Sequence, residues 1–347
     1  MTSPKIQRDV VRVGLVGTGF VARLRAEALQ GMTMAQLVAV AGHTAADTVA
    51  FAEQYKALAL DSWQDLINHG DLDVIMVCHI NSEHGAVVEA ALAADYHVVV
   101  EYPLALNADQ AQALLAQAQA KQRLLHVEHI ELLGGTHRAL KANLAAVGRP
   151  FYARYCTLAP RRPAPLTWTY CPDLFGFPLV GALSRLHRLI DGFGPVARVY
   201  CQSHYGGLNS GPDGLTCYTT ALCTAQLTFA SGLIAEVVYG KGEALWEATR
   251  RLEVMGNEGR LCFEGDRGTL TDAQGTHSLA VGSRRGLFAA DTAQVIEHLR
   301  TGQALYCTPE VSLYTLQVAI AAQRSAATGR AVDITAPAPS GQLSTSE

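Results

Sequence analysis

The residues Gly17-Thr18-Gly19-Phe20-Val21-Ala22 follow a β-branched run, Val11 to Val16. Their spacing suits a backbone that wraps a pyrophosphate. The first glycine permits a tight turn and the second lets the backbone approach the phosphates. A small residue at position 22 lets helix pack on strand. The phosphates would then sit on the N-terminus of the helix that starts here. Gly17, Thr18, Gly19, Phe20 and Val21 are therefore expected contacts of a dinucleotide. The end of the second strand indicates which one. An acid there would hold the ribose hydroxyls of NAD, but Ala41-Gly42-His43-Thr44 has no carboxylate before Asp47. That absence favours a 2′-phosphate, with His43 and Thr44 as donors and Arg23 or Arg25 approaching from the first helix. The expected cofactor is NADPH, with NADH the weaker alternative.

The elements that must position this turn alternate. Strand patterns at Val11–Val16, Gln36–Ala41, Asp73–Cys78, His97–Glu101 and Leu124–Glu128 interleave with helix patterns at Phe20–Gln30, Ala45–Tyr55, Ser82–Ala94 and Ala108–Lys121. Such a rhythm predicts βαβ units and a parallel sheet covered on both faces. After Gly148-Arg149-Pro150 it changes. A helix is expected over Leu179–Phe193. Strands are expected at Phe151–Leu158, Ala197–Tyr205, Thr216–Phe229, Leu233–Gly240, Arg251–Gly256 and Arg260–Phe263, and helices at Thr292–Arg300 and Pro309–Thr328. From Cys217 to Phe229, small and apolar residues alternate with mostly polar ones, so one sheet face packs on helices and the other stays open. That open face is expected to wall a ligand cleft. The fold class is an α/β Rossmann domain with a parallel doubly wound sheet, followed by an α+β domain with a large, mainly antiparallel open sheet. The expected divisions are 1–130 for the nucleotide domain, 131–335 for the substrate domain and 336–347 for a flexible tail.

Composition excludes several classes. The 347 residues are 49% hydrophobic and 17% charged, with net charge −4, which gives no footprint for nucleic acid or an anionic membrane. The first ten residues hold Lys5, Arg8 and Asp9 and no apolar core, so no signal peptide is expected. No apolar run approaches the roughly 20 residues of a bilayer span. The eight cysteines are scattered and read as small buried hydrophobes of a reducing cytoplasm. His126 and His129 have helical spacing, but no cysteine pair completes a zinc set. No metal is expected.

From about Val11 to Thr328 the chain resembles the Gfo/Idh/MocA oxidoreductase family. Besides the glycine turn, the likeness rests on Asn81 and His84 opening a helix after the fourth strand, and on Glu101-Tyr102-Pro103 after the fifth. It implies that Ile80, Asn81, His84, Glu101 and Pro103 also border the cofactor. Most of the family has Glu-Lys-Pro, whose lysine serves hydroxyl oxidation; here the lysine is Tyr102. A second family motif places an aspartate four residues before a histidine. In the matching stretch Ala182–Asp191, Ser184 and Arg188 stand in those two places.

Oxidising a carbinol needs a base that works near pH 7. Tyrosine titrates near 10 and arginine above 12. A site with arginines and no base suits reduction of an anionic, electron-poor acceptor instead. One branch of the family fits, the biliverdin reductases of the cyanobacterial type. Its resembling segments include Glu101–Leu106, Leu124–Gly135, Phe151–Tyr155, Trp168–Tyr170, Phe175–Leu179, Tyr239–Glu243 and Gly282–Phe288. The resemblance implies hydride transfer to the C10 methine of biliverdin, with Arg185 near the central pyrroles as the leading catalytic residue. Tyr102 would lie beside nicotinamide and pigment.

A flat tetrapyrrole with two propionates needs apolar walls and cations. Trp168, Tyr170, Phe175, Phe177 and Trp246 are the candidate walls. Arg161, Arg162, Arg188, Arg251, Arg284 and Arg285 are the candidate propionate partners. His129 is a further candidate contact, and Glu128 and Glu131 can face the cleft. The partner is a small molecule, and the chain is expected to be a monomer or weak homodimer. The competing readings are a sugar or alcohol dehydrogenase, which would want a lysine at 102, and a catalytically silent NADP-binding regulator.

Overall fold

A computed structural model describes residues 5–335 apart from 166, 212 and 213. The expected tail, 336–347, lies outside the described residues. The first part is a six-stranded parallel sheet made of β1 (Val11–Val16), β2 (Ala35–Ala41), β3 (Leu58–Leu60), β4 (Val74–Val77), β5 (His97–Val100) and β6 (Leu125–Val127). Its strand order is β3-β2-β1-β4-β5-β6, so the direction of winding reverses between β1 and β4. A crevice opens at such a switch point, beyond the carboxyl ends of the strands. The flanking helices are α1 (Phe20–Gln30), α2 (Ala45–Tyr55), α3 (Trp63–Asn68), α4 (His84–Ala93) and α5 (Ala108–Ala120). β4 and β5 are buried along their whole length, as a sheet covered on both faces requires. The short β3 and α3 were not expected; six or fewer residues show little periodicity.

After α6 (Gly135–Asn143) comes a nine-stranded sheet. Its strands are β7 (Pro150–Pro160), β8 (Val196–Gly206), β11 (Thr220–Phe229), β12 (Ile234–Gly242), β13 (Thr249–Gly256), β14 (Gly259–Glu264), β15 (Arg267–Asp272), β16 (Gly275–Leu279) and β17 (Val332–Asp333). The order is β16-β15-β14-β13-β7-β12-β11-β8-β17. Every pairing is antiparallel except β7 with β12. α7 (Pro172–Phe175), α8 (Ser184–Phe193) and α10 (Pro309–Thr328) belong to this part, and a small ribbon pairs β9 (Asn209–Ser210) with β10 (Thr216–Cys217).

Three expectations change. The strand read from Thr216 to Phe229 breaks at Tyr218-Thr219, because Tyr218 N donates to Tyr170 O and Thr219 N to Gly206 O. The helix expected from Leu179 begins at Ser184. The cysteines are not all free, since Cys171 and Cys217 are bonded to each other. Their sequence separation of 46 hid the pairing.

α9 (Leu287–Thr301) comes late in the chain yet packs on the nucleotide part. Its Val295, Ile296 and Leu299 share one core with Val11, Val13, Leu15, Ala22, Ala26 and Leu29. Among the described residues no helix is long and apolar enough to cross a membrane.

Candidate active site

The glycine turn has the shape a pyrophosphate needs. Gly17 has φ +112°, and a Cβ there would lie 2.2 Å from the Cys78 carbonyl oxygen. A side chain would thus meet both strain and backbone. Gly19 differs: a Cβ there would meet nothing within 4 Å. It is the N-cap of α1, without a side-chain cap. The first-turn N–H groups therefore face open space, where an anion would be stabilised. Thr18 packs against Gly42, whose added Cβ would come within 2.6 Å of it. Val21 is half-buried and Phe20 is exposed.

The expected 2′-phosphate donors divide. Thr44 caps α2: its hydroxyl donates to the Asp47 carboxylate at 2.7 Å and accepts from Asp47 N. Its proton is committed, which removes Thr44 as a free donor. Arg25 is withdrawn as well. It is fully buried and donates to Glu101 at 2.8 Å, Asp291 at 2.6 Å and the Thr292 hydroxyl at 3.0 Å. Exposed His43 and Arg23 remain.

The loops after β4 and β5 are tied together from within. Both ring nitrogens of His84 face carbonyls, Pro103 O at 2.7 Å and His79 O at 2.9 Å. The ring is fully buried, and burial lowers its pKa. Asn81 donates to Phe175 O at 2.9 Å, which joins the β4 loop to α7. Both residues, expected at the cofactor, spend these polar groups inside the protein. Ile80 is half-buried beside them and Pro103 is buried. Glu101 anchors Arg25.

The reaction side gathers at the N-terminus of α8. Arg185 Nη1 donates to Ser184 Oγ at 3.0 Å, and Ser184 Oγ donates to Tyr102 Oη at 3.2 Å. The Tyr102 proton is thereby left free to point elsewhere. Burial pushes the Tyr102 pKa up to about 12, so the phenol keeps its proton at neutral pH. The Arg185 guanidinium lies 5.4 Å from the Tyr239 ring centre. Burial acts against its charge, but Tyr102, Tyr155, Tyr239 and Glu131 together raise its pKa. No carboxylate pairs with it among the described residues, because Asp191 is taken by His137 at 2.8 Å and Lys141 at 3.2 Å. The His129 ring stacks on Tyr102 at 5.4 Å and 3°, and abuts His187 at 3.9 Å. It is fully buried, bonds Ser312 at 2.8 Å and is held neutral by burial. His129 therefore supports Tyr102 and is not exposed to a pigment.

Tyr239 shares one face of β12 with Ala235 and Val237, which are core residues. The site thus sits at one end of the helix-covered face, where Tyr239 continues the core row but is only half-buried. The open face carries Thr224 and Gln226 opposite Gln202 and Tyr200. It lies on the far side of the sheet from Arg185 and does not wall this cleft.

Arg188 is not a free cation. It is 1% exposed, donates to Glu131 at 2.7 Å and to the Tyr155 hydroxyl at 2.8 Å. Glu131 also accepts from Arg250 at 2.8 Å and Arg284 at 2.6 Å. Burial pushes the Glu131 pKa up, but the three arginines pull it below the ordinary carboxylate range. Arg251 instead pairs with Glu253 at 3.1 Å. Arg250 was missed, although Leu252 and Val254 are the buried residues of β13 and share its face. Arg161, Arg162 and Arg285 are exposed.

The aromatic candidates also separate. Trp168 is half-buried, 6.0 Å from the Phe175 ring. Tyr170 and Phe177 are buried in cores, which removes them as open walls. Trp246 is 85% exposed under the Arg162 guanidinium. Lys241 was not anticipated. It is 7% exposed, donates to Thr169 O, and lies 3.7 Å from the Phe175 ring centre and 4.7 Å from that of Tyr170. Burial lowers its pKa to about 7. Glu128 is buried among Glu101 and Asp291, and burial followed by those charges raises its pKa.

Residues 11–129 match the model of an oxidoreductase family with an NAD-binding Rossmann fold, and 147–334 match the C-terminal α/β domain of the same family. The crystal structure of biliverdin reductase from Synechocystis sp. PCC 6803, in complex with biliverdin and NADP+, is 45% identical. It superposes with a TM-score of 0.88 over 91% of this chain and 99% of its own. Mouse biliverdin reductase A is 29% identical over 57% of this chain and the human protein 32% over 40%. Those matches span 62% and 44% of the mammalian proteins, less than two thirds. A levoglucosan dehydrogenase, 17% identical with a TM-score of 0.82, shares the fold. With both halves matched in order, the chain belongs to the Gfo/Idh/MocA oxidoreductase family.

Proposed function

We propose that this protein reduces biliverdin IXα to bilirubin with NADPH, hydride arriving at the C10 methine. The observation that carries the reading is Arg185, a half-buried cation with no carboxylate partner among the described residues, joined through Ser184 to a tyrosine that keeps its proton. When bound, the dinucleotide supplies the hydride. Gly17, Gly19 and the open N-terminus of α1 suit its pyrophosphate, and exposed His43 and Arg23 suit a 2′-phosphate.

Reduction adds a hydride to carbon and a proton to a ring nitrogen. Arg185 stays charged, so its task is to stabilise charge on the pyrrole nitrogens and to orient a proton-donating water. Tyr102 has its hydroxyl proton free and a pKa far above neutrality, so it positions the reactants instead of acting as a base. A sugar dehydrogenase of this family would have a lysine where Tyr102 stands, and both Tyr102 and Arg185 keep their protons at neutral pH. His129 is buried with its pKa pushed well below neutrality, and arginine does not deprotonate.

Mixing the purified protein with biliverdin and NADPH should bleach the long-wavelength band and raise a yellow one. Unchanged spectra would sink the reading. Arg185→Ala should lower turnover by about 100- to 1000-fold, as for loss of one transition-state donor, while NADPH still binds.

A further inference from the structure

Three guanidinium groups converge on the single carboxylate of Glu131. Arg188 is sealed, but the side chains of Arg250 and Arg284 are 28% and 37% exposed. Arg250 reaches Glu131 through Nη2 alone, and so does Arg284. Their remaining donors are left over, and the cluster keeps an excess of positive charge next to Arg185.

The sheet supplies a second observation. Arg250 pairs across the strands with Thr157, and Thr157 with Tyr239. These three side chains form one row on one face, and Arg185 lies over the last of them. With strands about 4.8 Å apart, Arg250 stands roughly 10 Å along the row from Tyr239. Between them the Thr157 hydroxyl, on a residue 8% exposed, has no hydrogen-bond partner. Buried polar atoms are normally paired, so this row is incomplete as it stands. Arg284 is set by a tight backbone contact. A Cβ on Gly135 would strike Gly282 O at 2.1 Å, which fixes the loop ahead of α9 against α6.

We infer that Arg250 and Arg284, with Thr157 beneath them, bind one propionate of the substrate, while Glu131 holds the two guanidinium groups in place. The inference rests on the bilin reading above. The chemistry fits, because the propionates leave the two rings that flank C10. A carboxylate held in this row leaves those rings beside the Arg185–Tyr239 pair. Glu131 keeps the arginines aimed and lowers the cost of gathering like charges. It cannot neutralise all of them, and the substrate carboxylate supplies the missing charge.

The test compares biliverdin with its dimethyl ester on the unaltered enzyme, Arg250→Gln and Arg284→Gln, measuring KM and kcat separately. The unaltered enzyme should favour the diacid. Each variant should raise KM for the diacid by roughly 10- to 100-fold, as for loss of a charge-assisted hydrogen bond, and shrink the diacid-to-ester preference by the same factor. Thr157→Val, close in shape, should shift the preference the same way by a smaller factor, and it serves if Arg250→Gln does not fold. If the enzyme reduces both pigments and the variants keep its preference, the inference falls alone. If their loss lies in kcat with KM unchanged, it also falls. If the unaltered enzyme reduces neither pigment, the functional reading falls and takes the inference with it.

Discussion

Asp291→Asn tests the buried charge network that holds α1, and with it the dinucleotide turn. Asp291 is fully buried and accepts from Arg25 at 2.6 Å, His126 at 2.8 Å and the Tyr306 hydroxyl at 2.7 Å. Burial works against its charge, yet Arg25 and His126 hold its pKa far below the usual carboxylate value. The carboxylate is therefore fully ionised at neutral pH. Asparagine keeps the volume, so packing is preserved and only charge is lost. Arg25 is left with Glu101 as its one counter-ion, at zero exposure. Stranding one member of a buried pair costs about 3–5 kcal/mol. For a chain of this size each kcal/mol lowers Tm by roughly 2 °C, so a fall of about 6–10 °C is expected. Urea and thermal unfolding measure it, and a NADPH titration should show weaker binding because α1 shifts. Adding Arg25→Met should cost less than the two single losses summed, since both remove one interaction. A single-variant loss below about 1 kcal/mol, or strict additivity, would refute the reasoning.

Gly19→Ala should cost less than about 1 kcal/mol of stability, as for an N-cap change, yet weaken NADPH about ten-fold or more (1.4 kcal/mol per decade). Equal NADPH affinity, by fluorescence titration, would show that the open space there is not the phosphate site. Lys241 has a folded pKa of about 7, below the 10.5 of a free lysine. Its burial as a cation therefore weighs on stability below pH 7, and that burden lifts as pH rises toward 10. Relative to Lys241→Met, the unaltered protein should gain up to about 1.4 kcal/mol per pH unit across that window. Urea unfolding at pH 6, 7.5 and 9 reads the slope, and parallel curves would contradict it.

The nucleotide turn was legible because its chemistry is local. Strand, glycines and helix lie within some twenty residues, and each glycine has a steric reason that sequence alone can state. The reaction side was half legible. Tyr102 and Arg185 came from a family likeness, and their link through Ser184 is a matter of neighbouring side chains. Arg251 looked as good a partner for a carboxylate as any exposed arginine. A shift of one residue along a strand changes the face, and the buried Leu252 and Val254 put Arg250 on the site side. The sequence offers Arg25 to the cofactor because its partner Asp291 is 266 positions away. The open sheet face looked like a cleft wall because it is polar. It is polar because it faces away from the helices, and the site opened at the end of the other face.

The placement of α9 also bears on how the protein is made. A ribosome releases Phe20–Gln30 early, but Asp291 and the apolar side chains of Leu287–Thr301 emerge only about 250 residues or more later. Until then Arg25 has only Glu101 for charge compensation, and the core around Val11 and Leu29 lacks one wall. The nucleotide-binding half therefore lacks part of its core and one of its buried ion pairs until α9 has been made. Contacts of such long sequence separation are slow to form, and the completion of this core waits on α9. Dinucleotide binding would then mark a chain whose synthesis has passed α9.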